Sequence, residues 1–248
     1  MVDLGYNPSM ELSVLTLNIM HGRNRRRPLW PLWVRRQEAG HNLKKIVACI
    51  LQQNPDIVAL QEVDKYSLLS GRFDQFEFLK DKTGYQYGYY ASSCSVRGVF
   101  QSGQAILSKY PLANCEAHKF PITFPTDRMG FVLADAVLPG KTITVASIHL
   151  VYLDWLRRDP HKQELRLVKE ALSSRSSPTV LAGDFNCDMT EQASRLGFVP
   201  HQGSPTHPSW APQKRIDWIL VKDLQYASYE TLSESLSDHL AVAAKLAL

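Results

Sequence analysis

Side chains able to do chemistry stand repeatedly where an apolar run of this sequence stops. Asn18 ends Val14-Leu15-Thr16-Leu17, Glu62 ends Ile57–Gln61, and His149 lies near the end of Thr142–Leu150. Asp184 and Asn186 follow Val180-Leu181-Ala182-Gly183, Asp217 lies within Arg215–Val221, and Asp238-His239 immediately precedes a last apolar run. Groups placed at rigid strand ends can converge on one point without being ordered anew at each turnover. Their types suit one task. Hydrolysis of a phosphate ester needs neutralisation of oxyanion charge, a positioned water, a base for that water and a donor for the leaving oxygen. The oxygen-only donors Asn18, Glu62 and Asp238 suit a hard cation such as magnesium better than zinc.

Each of these residues also has a plain structural reading. Asn18 alone is a turn residue, Glu62 a solvated edge residue, and Gly183-Asp184-Phe185-Asn186 a tight turn with Asp184 bonding its own backbone. His149 would be a satisfied core histidine, Asp217 a structural partner of Arg215 or Lys214, and Ser237-Asp238-His239 a strand-entry cap. It is the set that points to chemistry.

The elements that must carry the set follow from periodicity. Strands are expected at Val14–Asn18, Ile57–Gln61, Gln104–Ser108, Thr179–Ala182, Ile216–Val221 and Leu240–Leu246. Phe131–Val137 and Thr142–Leu150 flank Pro139-Gly140 and read as a hairpin. Leu43, Ile46, Val47, Ile50 and Leu51 make a helical stripe over His41–Asn54, ended by Pro55. Phe73–Lys82 reads as a second helix stopped by Gly84, and Leu165, Val168 and Leu172 line a third that begins after Asp159-Pro160. This is a mixed α/β pattern, with sheet packed on sheet and helices outside.

Composition limits the alternatives. The 248 residues are enough for one large core, and 44% of them are hydrophobic, as in an ordinary globular protein. No run approaches the roughly 18 apolar residues of a spanning helix, and no secretory signal opens the chain, so a cytoplasmic location is expected. The four cysteines lack any Cys-x-x-Cys spacing, which argues against a zinc site; buried free thiols are expected, with a Cys94–Cys115 bridge as the alternative. Residues 23–36 hold six arginines and no acid. Removing these from the 28 basic residues leaves 22 against 24 acidic ones, so the positive charge is a local patch for one anionic partner.

Taken in order, Leu17-Asn18-Ile19, Gln61-Glu62-Val63, Ile148-His149-Leu150, Gly183-Asp184-Phe185-Asn186, Arg215-Ile216-Asp217 and Ser237-Asp238-His239 resemble the motifs of the endonuclease/exonuclease/phosphatase superfamily. Gly103–Pro111 resembles that family's middle strand. The resemblance implies one domain over residues 1–248, a DNase-I-like four-layer α/β sandwich with two central mixed β-sheets flanked by helices. It also implies roles. Glu62 would be the principal magnesium ligand, with Asn18 and Asp238 nearby and manganese able to substitute. Asp184 would take a proton from the attacking water or orient it, and Asn186 would hold that water or the phosphate. His239, oriented by Asp217, would bond the phosphoryl oxygens, and His149 would stabilise the transition state or protonate the leaving group.

The family contains lipid and small-molecule phosphodiesterases and phosphatases as well as nucleases. Its nuclease branch pairs the histidine matching His149 with a carboxylate around the middle strand, and residues 98–108 contain none. A lipid or small phosphorylated substrate is therefore expected. An endonuclease or exonuclease is the alternative, favoured by Arg23–Arg36, whose interleaved Arg and Trp could grip nucleic acid or an anionic membrane surface. A silent binding module is the third reading. Arg23, Arg25, Arg128 and Lys109 are candidate phosphate contacts, and no obligate protein partner is implied.

Overall fold

A computed structural model describes residues 11–24, 32–96, 99–122, 128–152 and 160–248. Strand β1 (Glu11–Asn18) sends Leu12 and Val14 into one buried cluster and Leu15 and Leu17 into another. That is the two-residue period of an extended chain buried on both faces.

β1 belongs to a six-stranded sheet with β2 (Ile57–Asp64), β3 (Tyr87–Val96), β4 (Phe100–Ser108), β11 (Gln225–Ser235) and β12 (Leu240–Ala247), in the order β11-β12-β1-β2-β4-β3. A second six-stranded sheet holds β5 (Leu112–Lys119), β6 (Gly130–Leu138), β7 (Lys141–His149), β8 (Thr179–Asp184), β9 (Val199–Pro200) and β10 (Asp217–Lys222), in the order β5-β6-β7-β8-β10-β9. In each sheet one central pair is parallel, β1 with β2 and β7 with β8. Parallel neighbours need a long crossover, and helices α1 (Leu32–Gln53) and α3 (Pro160–Leu172) supply it.

The sheets pack face to face. Leu12, Val14, Ile57 and Ile106 of the first meet Val132, Val145, Val180 and Ile219 of the second. Leu43, Ile46 and Ile50 of α1, with Phe76 and Leu79 of α2 (Gln75–Thr83), cover the outer face of the first sheet. Leu165 and Val168 of α3 and Ala193 of α4 (Thr190–Leu196) cover the second. The result is a four-layer α/β sandwich, the architecture the resemblance implies.

Most expected elements are present, some extended and others shifted: β7 and β10 by one residue, while α2 starts at Gln75 and not at Phe73. The 139–140 hairpin turns at Gly140 with φ 73°, and α2 is capped by Asp74, which accepts the Glu77 N–H at 3.0 Å. Helix α1 begins at Leu32, earlier than His41, and its Leu51 is exposed, so the apolar stripe is narrower than the spacing implied. Residues 25–31 of the arginine segment lie outside the described residues, as do Asp159 and residues 153–158. None of the four cysteines is in a disulfide, but only Cys49 is buried, which corrects the expectation of buried thiols. Among the described residues no helix is long and apolar enough to cross a membrane.

Candidate active site

Both parallel strand pairs run out at the same place. Asn18 is the last residue of β1, and the β7–β8 register sets His149 opposite Asp184. On the other side of β8 the β10 register sets Asp217 opposite Asp184. Glu62 arrives by a bulge: the β2–β4 register jumps between Leu60 and Val63, and Glu62 takes a left-handed φ of 55°. A bulge re-aims side chains. Gln61 turns to the second sheet, while Glu62 faces a cavity of about 570 Å³.

Glu62, His149, Asp184, Asn186 and His239 all line that cavity. Asp184 is its hub. Its Oδ1 accepts the Asn186 N–H at 2.9 Å and its Oδ2 accepts Asn18 Nδ2 at 3.0 Å. His149 Nε2 is 3.5 Å and His239 Nε2 3.7 Å from that second oxygen. Asp217, fully buried, holds His239 Nδ1 at 2.9 Å, which turns Nε2 toward the cavity. Asn186 has φ 51° and donates Nδ2 to the Leu150 carbonyl at 2.9 Å, so the turn after β8 is fixed from both ends.

Electrostatics separate the carboxylates. Burial acts to raise the Glu62 pKa, but His21 and His149 beside it, with the Asn18 hydrogen bond, outweigh burial and hold it at about 2. Burial and the neighbouring Asp217 push Asp184 up, against the pull of His239 and His149. Burial disfavours a charged His239 ring, yet Asp217 and Asp184 overcome it and raise its pKa to about 10. The cavity therefore holds an ionised Glu62, an imidazolium and a carboxylate made more basic.

The donor chemistry fits a hard cation at Glu62, an ionised oxygen donor open to the cavity. Asn18 is differently engaged from the expectation. Its Oδ1 accepts the Met20 N–H at 3.0 Å, and its Nδ2 bonds Glu62 at 3.2 Å as well as Asp184, so it positions both carboxylates. Asp238 Oδ1 is 3.9 Å from His239 Nε2; Asp238 groups with His207 and His239, and Asp184, Asp217 and His239 form a second group. In each, the potential ligand atoms fall within 4.8 Å of one another. Neither group includes Glu62.

Arg23 and Arg128 stand on the cavity wall, and Arg25 lies outside the described residues. Lys109 does not reach the cavity. Its Nζ is bound to the Asn54 carbonyl at 2.8 Å and Asp56 at 3.3 Å, beside Ser108, which pairs with Ile57 at the start of β2. That is the end of β2 opposite Glu62, so Lys109 is withdrawn as a phosphate contact.

Three basic residues of the lining are not legible as site residues in the sequence: His21, His207 and Lys214. His21 follows Asn18 by three positions, which is a signal of sorts, but its left-handed backbone (φ 57°) is not legible. His207 and Lys214 sit in irregular chain, paired by an isolated bridge that no periodicity marks.

The family model of the Endonuclease/Exonuclease/phosphatase family matches residues 15–239, and with them every motif that lines the cavity. The chain belongs to that family. As an endonuclease/exonuclease/phosphatase-family protein it is a phosphoester hydrolase. No curated protein sequence matches it at a significant level. Its fold is similar to an endonuclease/exonuclease/phosphatase from Beutenbergia cavernae DSM 12333, with TM-score 0.75 and 20% identity over 96% of this chain and 72% of the other. It is also similar to sphingomyelinase C from Streptomyces griseocarneus (TM-score 0.73, 19% identity, 95% and 99% covered). A humanized D. rerio TDP2 gives TM-score 0.71 at 14% identity, with 95% and 98% covered.

Proposed function

We propose that this family member hydrolyses a lipid or small phosphorylated ester by single-step, in-line attack of water, supported by magnesium or manganese held at Glu62. The observation that carries the reading is the convergence of Glu62, His149, Asp184, Asn186 and His239 on one cavity.

Bound at Glu62, with Asp238 and Asn18 nearby, the cation would offset charge developing on a phosphoryl oxygen. The chain's own groups do the rest. Asp184, with its raised pKa, accepts the proton of the attacking water, which the Asn186 side orients. His239 offers Nε2–H to the phosphoryl oxygens because Asp217 occupies Nδ1. His149 lies on the other side of Asp184, placed to serve the leaving oxygen. Arg23 and Arg128 supply charge at the wall, and Met20, Phe100, Met129 and Tyr152 supply apolar surface for the organic part of a substrate.

The second reading is a nuclease. Lys214 joins Arg23 and Arg128 on the wall, three cations that suit a polyanionic backbone. One assay panel separates the two: magnesium-dependent release from phosphatidylinositide, sphingomyelin, plasmid and single-stranded oligonucleotide. Turnover confined to the first two supports the proposal, and turnover confined to nucleic acid replaces it. Water labelled with oxygen-18 should label the phosphate product in one turnover. A trapped phospho-enzyme would rule out the single-step route.

A further inference from the structure

The cavity contains a second imidazole–carboxylate pair, at the end away from Asp217 and His239. His21 lies between two acids: Nδ1 is 2.8 Å from Asp64 Oδ1 and Nε2 is 3.1 Å from Glu62 Oε2. The arrangement parallels Asp217 and His239, where a buried carboxylate takes Nδ1 and turns Nε2 toward the cavity. In the His21 case the exposed ring nitrogen is aimed at a carboxylate of the site itself.

The pair is built in from behind. Asp64 is fully buried, and its Oδ2 has no hydrogen-bond partner among the described residues, so the ring is its described side-chain contact. Gln75 ties the two backbones together: its Oε1 accepts the Asp64 N–H at 3.0 Å, and its Nε2 donates to the His21 carbonyl at 2.8 Å. A Cβ on Gly22, which has φ 76°, would come within 2.9 Å of Gln75 Nε2, so the turn after His21 closes directly on this amide. Phe100 packs edge-on against the His21 ring at 5.5 Å. Both His21 and Glu62 stand on left-handed backbone, which persists where surrounding contacts over-determine it and clusters at functional sites.

We infer that His21 is a positioning residue for Glu62: held by Asp64, it fixes one oxygen of the cation-binding carboxylate while Asn18 fixes the other. The two contacts are at 3.1 Å from His21 Nε2 to Oε2 and 3.2 Å from Asn18 Nδ2 to Oε1. Contacted at both oxygens, Glu62 is held against rotation where it lines the cavity. Losing a partner that orients a ligand in this way typically costs about 10- to 100-fold in metal affinity. The inference rests on Glu62 being the cation ligand.

The full chain carrying His21→Ala and His21→Gln tests it, with manganese binding followed by electron paramagnetic resonance and magnesium activation followed on bis-p-nitrophenyl phosphate. His21→Ala should weaken manganese binding and raise the magnesium needed for half-activation by about 10- to 100-fold, the usual effect of losing an orienting partner. KM for the ester at saturating magnesium should stay near that of the unaltered chain. His21→Gln, whose amide can donate to Glu62, should recover most of the cation affinity. Unchanged affinity in a folded His21→Ala, even with a lowered melting temperature, overturns the inference and leaves the ring a structural one. Tighter binding also overturns it, because the ring would then be a competitor of the cation. If the unaltered chain binds no manganese, the metal reading of Glu62 fails with it; binding that is indifferent to His21 sinks this inference alone.

Discussion

Gln61 of the first sheet donates Nε2 to Ser147 Oγ of the second at 3.0 Å, and that hydroxyl donates onward to the Leu60 carbonyl at 2.9 Å. Thr16 lies within 3.3 Å of the same Gln61 amide nitrogen. A buried polar bridge thus locks the two sheets together one residue from Glu62 and two from His149.

Replacing Gln61 with Leu should loosen that lock. We expect a loss of about 1–3 kcal/mol in urea unfolding, the usual effect of stranding buried polar partners, together with reduced turnover because Glu62 and His149 lose their mutual register. An unchanged urea midpoint and rate would show that the apolar contacts between the sheets suffice.

Asp184→Asn and His239→Ala should each lower kcat by about 10²- to 10⁴-fold, the range expected for a positioned proton-transfer group. Near-UV circular dichroism should stay native in both, since each group faces the cavity. Near-normal rates in either variant would discredit the assigned role.

Glu62→Gln keeps the shape of the carboxylate but removes the charge held by its low pKa of about 2. The variant should require more magnesium for half-maximal activity, read from a titration of rate against magnesium. An identical magnesium curve would place the cation elsewhere.

Glu164, which does not line the cavity, gives a stability test. Burial pushes its pKa up to about 8, against the Val151 N–H that it accepts at 3.1 Å. A carboxyl raised in the folded state and ordinary in the unfolded one makes the fold lose stability as pH rises from the ordinary carboxylate value through about 8. Glu164→Gln can accept the same N–H and carries no charge, so its melting temperature should fall less than that of the unaltered chain between pH 5 and 9. Parallel melting curves for the two chains would contradict the raised pKa.

Gly183 has φ 151°, and a Cβ there would lie 2.0 Å from the Ile148 carbonyl oxygen. Gly183→Ala must therefore part β7 from β8 at the Ile148–Gly183 pair, next to His149 and Asp184. A destabilisation of at least about 2–4 kcal/mol is expected, as for strained backbone combined with overpacking, visible as a lowered melting temperature or loss of soluble protein. Native stability would mean that the strands can separate cheaply here.

The sequence made the interior of the fold legible and hid its margins. All eight inner strands were expected from their apolar runs, because each is covered on both faces. The four strands missed, β3, β5, β9 and β11, are the four sheet edges. There Tyr87–Val96, Leu112–Lys119 and Gln225–Ser235 carry exposed polar residues where a buried strand would carry apolar ones, as edges commonly do to discourage pairing with other chains. The site divides in the same way. Glu62, His149, Asp184, Asn186 and His239 could be read from motifs at strand ends, and the structure brings them together. His21 and the bulge at Glu62 could not, because both depend on left-handed backbone at non-glycine residues. Lys109 misled because its distance along the chain says nothing of which end of β4 it occupies.

Strand β1 sits between β2 and β12, pairing Glu11 with Ala247 along one side. During synthesis β1 therefore waits for β12, made much later in the chain, and until then its edge on that side is open to any passing peptide. A chaperone that shields this edge should raise the yield of active enzyme.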